Sequence, residues 1–309
     1  MATSNSSKWF WGIFLSIVFI GLIFVGISFL ILANIIKSGT SGYYSSHGSG
    51  DKIGVVELND IILTPERVVG EIKKFREDKS IKAIILHINS PGGGVAASQE
   101  IYEEVKKTRE SGKIIVVSMG SIAASGGYYV ACGSNLIVAN PGTLTGSIGV
   151  IAQFVNIKDL ADKLGIKENI IKSGELKDAG SPFRDMNEKD KEYFQDVVNN
   201  SFGQFLDVVA KERKINKDTL MKYANGRVFT GLQAKEIGLI DSLGTFEDAV
   251  RITGKLAGIE GEPRLIRERK KFSIFYTVFE KVLGIPVNEL SDLKQSLFEE
   301  PILQYRFKP

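Results

Sequence analysis

The sequence predicts an α/β domain of alternating strand and helix units preceded by one N-terminal membrane-spanning helix. Three observations predict it: an uncharged apolar run near the N-terminus, β-branched strand patterns alternating with amphipathic helix patterns, and glycine-rich turns at several junctions between them. Alternation at this spacing implies right-handed crossovers and parallel strand pairing. With 309 residues and 43% hydrophobic content, the chain can bury one sizeable core.

Residues 1–8 read as a short tail. Trp9 to Asn34 carries no charged side chain and, as a helix, is long enough to cross a hydrocarbon layer about 30 Å thick. Trp9 and Trp11 stand at one end, where indole rings favour a membrane interface. A cleaved secretory signal has a shorter apolar region followed by a small-residue cleavage pattern, so residues 9–34 are expected to be an anchor that contacts the lipid bilayer. Lys8 and Lys37 flank the run, and the expected orientation puts the N-terminus in the cytoplasm and the folded domain outside. Residues 35–50 include SGTSGYYSSHGSG, a composition suited to a flexible tether.

The folded domain is expected over 51–258. Ile53–Leu58 reads as a strand, and Thr64-Pro65-Glu66 as a helix start. Lys82–Ile88 is a strand, Val95–Ser111 a helix stopped by Gly112, and Lys113–Met119 a buried strand. A short helix over Gly126–Cys132, a strand over Leu136–Ala139 and a Gly/Thr/Ser turn over Pro141–Gly149 follow. From Asn187 to Arg213, Phe194, Val197, Val198, Phe202, Phe205, Leu206 and Val209 recur at helical spacing, a core-facing stripe that reads as structural and not chemical. Residues 259–309 read as a C-terminal extension serving assembly or closure of the substrate site, with an amphipathic stretch at Phe272–Leu283.

The net charge of +3 supplies no strong field for a nucleic acid, which is excluded as a partner. The single cysteine, Cys132, has no intramolecular disulfide partner, and two histidines are too few for a zinc site of ordinary composition. No cofactor and no metal are expected.

Two glycine-rich turns carry the chemistry. Asn89–Gly94 (NSPGGG) follows a strand and precedes a helix, so its amides can be aimed at an anion from the carboxyl end of the sheet. Ser121–Tyr129 (SIAASGGYY) has the same setting, with Ser125 between Ala124 and Gly126. Small neighbours let a substrate backbone approach the Ser125 hydroxyl, and amides of Gly93 and Gly126 would form an oxyanion hole beside it. Ala123 stands where a nucleophile elbow has glycine, and the competing reading makes Ser125 a helix cap. A serine nucleophile needs a base. His47 lies in the tether and His87 inside a β-branched strand, which leaves a lysine kept neutral by burial. A fall of roughly 3 units from 10.4 costs about 4 kcal/mol, within reach of desolvation. Spacing alone does not say which lysine.

Ser121–Tyr129, Pro141–Gly149 (PGTLTGSIG), Ser173–Pro182 (SGELKDAGSP) and Gly226–Asp241 (GRVFTGLQAKEIGLID), in this order, resemble the signal peptide peptidase A family of Ser/Lys proteases. The resemblance implies Ser125 as nucleophile, Lys177 as base and Ser147 as a serine that orients the lysine, with a turn-stabilising role the alternative for Ser147. It further implies the spiral ββα architecture of Clp protease and crotonases, with Gly93 and Gly126 as oxyanion donors. A single copy of the unit series resembles the short family members, which implies a homo-oligomeric ring and a lysine that reaches the serine of a neighbouring subunit. Substrates implied are released signal peptides at a bacterial cell membrane. A SohB-like or stomatin-associated protease with other substrates is one alternative; a crotonase-like acyl-CoA enzyme and a non-catalytic membrane scaffold are the others.

Overall fold

The structure, a computed structural model, describes residues 50–268 and 303–307, together with Tyr43–Ser45 and several residues between 9 and 26. Its strands are β1 (Tyr43–Ser45), β2 (Lys52–Asn59), β3 (Ile81–Ser90), β4 (Gly92–Gly94), β5 (Ile114–Ala124), β6 (Leu136–Ala139), β7 (Leu144–Gly146), β8 (Ile151–Ala152), β9 (Val228–Thr230), β10 (Ser242–Leu243), β11 (Arg264–Glu268) and β12 (Leu303–Arg306). The helices that matter below are α1 (Glu66–Glu77), α2 (Val95–Glu110), α3 (Gly126–Ala131), α4 (Lys158–Lys163), α5 (Glu188–Arg213), α6 (Lys217–Met221), α7 (Gly231–Glu236) and α8 (Phe246–Leu256).

Among the described residues the main sheet runs β1-β11-β2-β3-β5-β6-β10. Its centre is parallel, from β11 through β2, β3 and β5 to β6 and β10. Off β5, β7 pairs parallel and in turn holds β9 antiparallel. A second sheet, β4-β12-β8, is antiparallel. Central strands are near-continuous apolar runs because both faces are covered. Along β3, Ile84, Leu86 and Ile88 face the larger core shared with α1, α2 and α5, whereas Ala83 and Ile85 pack with Val250 of α8 on the other face.

Three features differ from the sequence reading. Strand β5 continues past Met119 to Ala124, because Ile122–Ala124 pair with Leu144–Gly146, a partner distant in sequence. Arg264–Glu268, in the stretch read as a C-terminal extension, pairs as a strand beside β2, and the adjacent Leu265 and Ile266 are buried on its two faces. Inside the stretch expected to be a loose tether, Tyr43–Ser45 pairs with β11, a site suited to the β preference of its two tyrosines. Among the described residues no helix is long and apolar enough to cross a membrane. Much of the anchor expected over 9–34, and all of Phe272–Leu283, lies outside the described residues.

Candidate active site

Ser125 occupies the one residue between the end of β5 and the start of α3, at the carboxyl edge of the parallel sheet. Its backbone is forced into φ 52°, ψ −114°, a conformation in which an ordinary side chain is strained. Two bonds impose it: Ser125 N–H donates to the Gly146 carbonyl at 2.7 Å, and the Ser125 carbonyl accepts from Tyr129 N–H at 2.8 Å. The side chain makes no capping hydrogen bond, so the helix-cap reading is not realised, and the residue is only 1% exposed. A strained serine at a strand-to-helix turn is the geometry of a nucleophile elbow, reached here without glycine two residues before it.

The second glycine turn lies against the first. A Cβ built on Gly92, whose φ is +98°, would fall 2.6 Å from Gly126 N and 2.0 Å from the Tyr305 carbonyl oxygen. One built on Gly126 would fall 3.0 Å from that same oxygen and 2.5 Å from Ser98 Oγ. Ile62 bonds to both flanks of Gly93, accepting from Gly94 N–H at 2.7 Å and donating to the Gly92 carbonyl at 2.9 Å. That pattern turns the Gly93 amide toward β12, where Tyr305 stands opposite it in register. The chain's own β12 thus crosses the glycine strand as an extended peptide, with one carbonyl against Gly92 and Gly126.

A cavity of about 490 Å³ opens beside the serine, lined among others by Ser125, Ser147, Val198, Phe202, Arg306 and Phe307. Ser147 has φ 50°; its N–H donates to the Arg227 carbonyl at 2.9 Å and its hydroxyl to the Gly226 carbonyl at 3.2 Å. Helix α5, read from sequence as structural alone, therefore also walls the cavity. In its C-terminal half Phe205, Leu206 and Val209 are buried in the core, while Val198 and Phe202 line the cavity half-buried. The Tyr305 ring is fully buried, stacked on Tyr129 at 5.2 Å and tilted on Phe205 at 4.7 Å, and its hydroxyl donates to the Ser201 carbonyl at 2.9 Å.

Lys177 lies elsewhere in the single chain. It sits in the 3₁₀ turn Glu175–Asp178, exposed, and is not among the residues lining the Ser125 cavity. The chain brings Ser125, Gly126, Ser147 and the Gly92–Gly94 strand together; it does not bring Lys177 to that cavity within one copy. His87 Nδ1 is 3.4 Å from Ser118 Oγ, and its ring meets Phe246 edge-on at 5.4 Å. Burial pushes its pKa down, as for a packed core histidine. His47 lies outside the described residues.

Comparison with known proteins agrees with this geometry. Peptidase family S49 matches residues 107–260, and Clp protease matches residues 63–141. A Synechocystis sp. protein assigned as a protease is 42% identical over 68% of this chain and 76% of its own length. An Enterococcus faecium protein assigned as signal peptide peptidase SppA is 37% identical over 70% of this chain and 61% of its own length. Protease 4 of Salmonella typhi is 37% identical over 69% of this chain, which spans 36% of that longer protein. The fold is ClpP-like α/β with a mixed sheet, and the chain belongs to peptidase family S49, a family of serine-type peptidases.

Proposed function

We propose that the protein is a membrane-anchored endopeptidase that hydrolyses apolar, unfolded peptides, such as released signal peptides, with a Ser125/Lys177 dyad. The observation that carries the reading is the Ser125 turn: a buried hydroxyl that caps nothing, on a strained backbone, beside a glycine strand that already holds an extended peptide segment. A substrate would displace β12 from Gly92–Gly94 and add there antiparallel in its place, which frees the Gly93 amide for the scissile carbonyl.

In the reaction, neutral Lys177 accepts the Ser125 proton, the alkoxide attacks the scissile carbonyl, and the Gly93 and Gly126 amides receive the oxyanion. The amine then returns the proton to the leaving nitrogen. Water, deprotonated by the same lysine, releases the acyl group and regenerates the serine. Ser147 would fix the amine by hydrogen bonding. Because Lys177 is exposed and is not among the residues lining the cavity in one copy, the dyad is proposed to form between neighbours in a homo-oligomeric ring. Packing there would strip water from the amine, which favours its neutral form. The anchor over 9–34 would hold the enzyme beside its substrates in the membrane, with the folded domain on the extracytoplasmic side of a bacterial cell.

A fluorophosphonate probe is expected to label the full chain and to leave Ser125→Ala unlabelled; labelling that persists removes Ser125 as nucleophile. Ser125→Ala and Lys177→Ala are each expected to lose about 10⁴-fold or more in kcat, the scale on which triad members act. Mixing the two dead variants is expected to restore part of the activity, since a shared dyad is re-formed at some interfaces. An active monomer on sizing in detergent would overturn the shared site.

A further inference from the structure

The segment that carries Lys177 is tied down by a charged clamp that the dyad chemistry does not use. The Arg184 guanidinium grips Asp178, the residue after Lys177, with Nε to Oδ2 at 3.1 Å and Nη2 to Oδ1 at 3.0 Å, and Nη2 also donates to the Asp178 carbonyl at 3.1 Å. Its other nitrogen, Nη1, donates to Asp190 Oδ2 and to the Asp185 carbonyl. Asp190 is 1% exposed and closes the capping box of α5, accepting from Asn187 N–H at 3.1 Å while its own N–H donates to Asn187 Oδ1. Lys172 braces the turn from the far side, donating to Asp178 Oδ1 at 2.7 Å and to the Glu175 carbonyl at 3.1 Å.

The clamp joins the lysine turn to the same helix that walls the serine cavity. From Asp190 at its start, α5 runs through Val198 and Phe202 at the cavity to the core around Phe205. Gly180, at φ +78°, lets the loop close on that helix: a Cβ there would fall 2.6 Å from Phe154 and 3.4 Å from Phe194. An arginine fork bound to two carboxylates fixes orientation as well as distance, which an ammonium does not. We infer that Arg184 is the positioning residue of the catalytic lysine, locking the Lys177 turn to the N-terminus of α5 so that the amine is presented at a fixed place on the subunit face. The inference rests on Lys177 being the base.

The clamp also sets local charge. Around the turn stand Glu168, Lys172, Glu175, Asp178, Asp185, Lys189 and Asp190, with Glu175 paired to Lys189 at 2.9 Å. Hydrogen bonds from Arg184, then from Lys172, push the Asp178 carboxyl down to about 2, and Arg184 likewise lowers Asp190. Asp178 thus stays charged, and its half of the clamp closed, until the pH falls toward about 2.

Steady-state kinetics of the full chain in detergent, with kcat and KM determined separately, test the proposal. Arg184→Gln is expected to cost about 100-fold in kcat with KM nearly unchanged, as a misplaced group does. Arg184→Lys keeps a cation without the fork; a loss of about tenfold in kcat, again with KM nearly unchanged, is expected. A wild-type kcat in Arg184→Gln, or a loss that falls on KM and not on kcat, overturns the inference. If Arg184→Gln fails to fold, Arg184→Lys decides: a kcat equal to wild type overturns it. Lys177→Ala is measured in parallel, and activity retained there defeats the dyad itself and not only the clamp.

Discussion

A Ser125→Gly variant is expected to hydrolyse no peptide and yet to melt at a higher temperature than the unsubstituted chain. The loss of activity follows from removing the attacking oxygen, and Ser125→Ala shares it. The gain in stability follows from the backbone. At φ 52° and ψ −114° a Cβ is strained, and such conformations cost about 1–3 kcal/mol for residues other than glycine. Glycine adopts positive φ freely but loses about 0.5–1 kcal/mol more in entropy on folding, so the net gain is about 1 kcal/mol. The hydroxyl makes no cap bond to be lost, and the two backbone bonds, to Gly146 and from Tyr129, survive the substitution. Thermal unfolding should therefore rise by about 2–4 °C in Ser125→Gly and stay within error of the parent in Ser125→Ala, which keeps the Cβ. A glycine variant that melts well below both would mean that the side chain holds the fold, and the argument for a strained nucleophile would fail.

How much of this site could be read in advance depends on how far apart its parts lie in the chain. The strands at Lys82–Ile88 and Leu136–Ala139 were legible because a strand covered on both faces must be apolar throughout, and the structure has them at Ile81–Ser90 and Leu136–Ala139. Ser125 was legible through its small neighbours. Its backbone conformation was not, because the carbonyl that imposes it belongs to Gly146, whose strand pairs with β5 only in the folded chain. Phe202 and Phe205 look alike in a helical stripe, since core and cavity both reward apolar side chains; only the packing separates the cavity wall from the core. The clamp escaped for a different reason. Arg184, Asp178 and Asp190 are polar residues in a polar segment, and nothing in their spacing distinguishes a fork bound at both ends from a solvated surface.

The Gly93→Ala substitution should damage fold and rate together, and more severely than the same change at Gly126. A Cβ on Gly93 would lie 2.1 Å from the Ile62 carbonyl oxygen and 2.6 Å from Ile62 N, both backbone atoms. Neither can swing aside, so the strand must move and the bonds between Ile62 and the flanks of Gly93 must stretch. Overpacking of this kind costs about 1–3 kcal/mol, and the loss of paired backbone groups adds to it. At Gly126 the nearest obstacle is Ser98 Oγ at 2.5 Å, the end of a side chain that can rotate if it gives up its bond to the Gly94 carbonyl. Rate should follow the same order. Displacing the Gly93 amide removes one of two proposed donors to the oxyanion, a loss of about 10²–10³-fold in kcat by the scale of such groups. Thermal melts and kcat for an apolar peptide check both halves. A Gly93→Ala enzyme that melts and turns over like its parent would remove the glycine strand from the catalytic site.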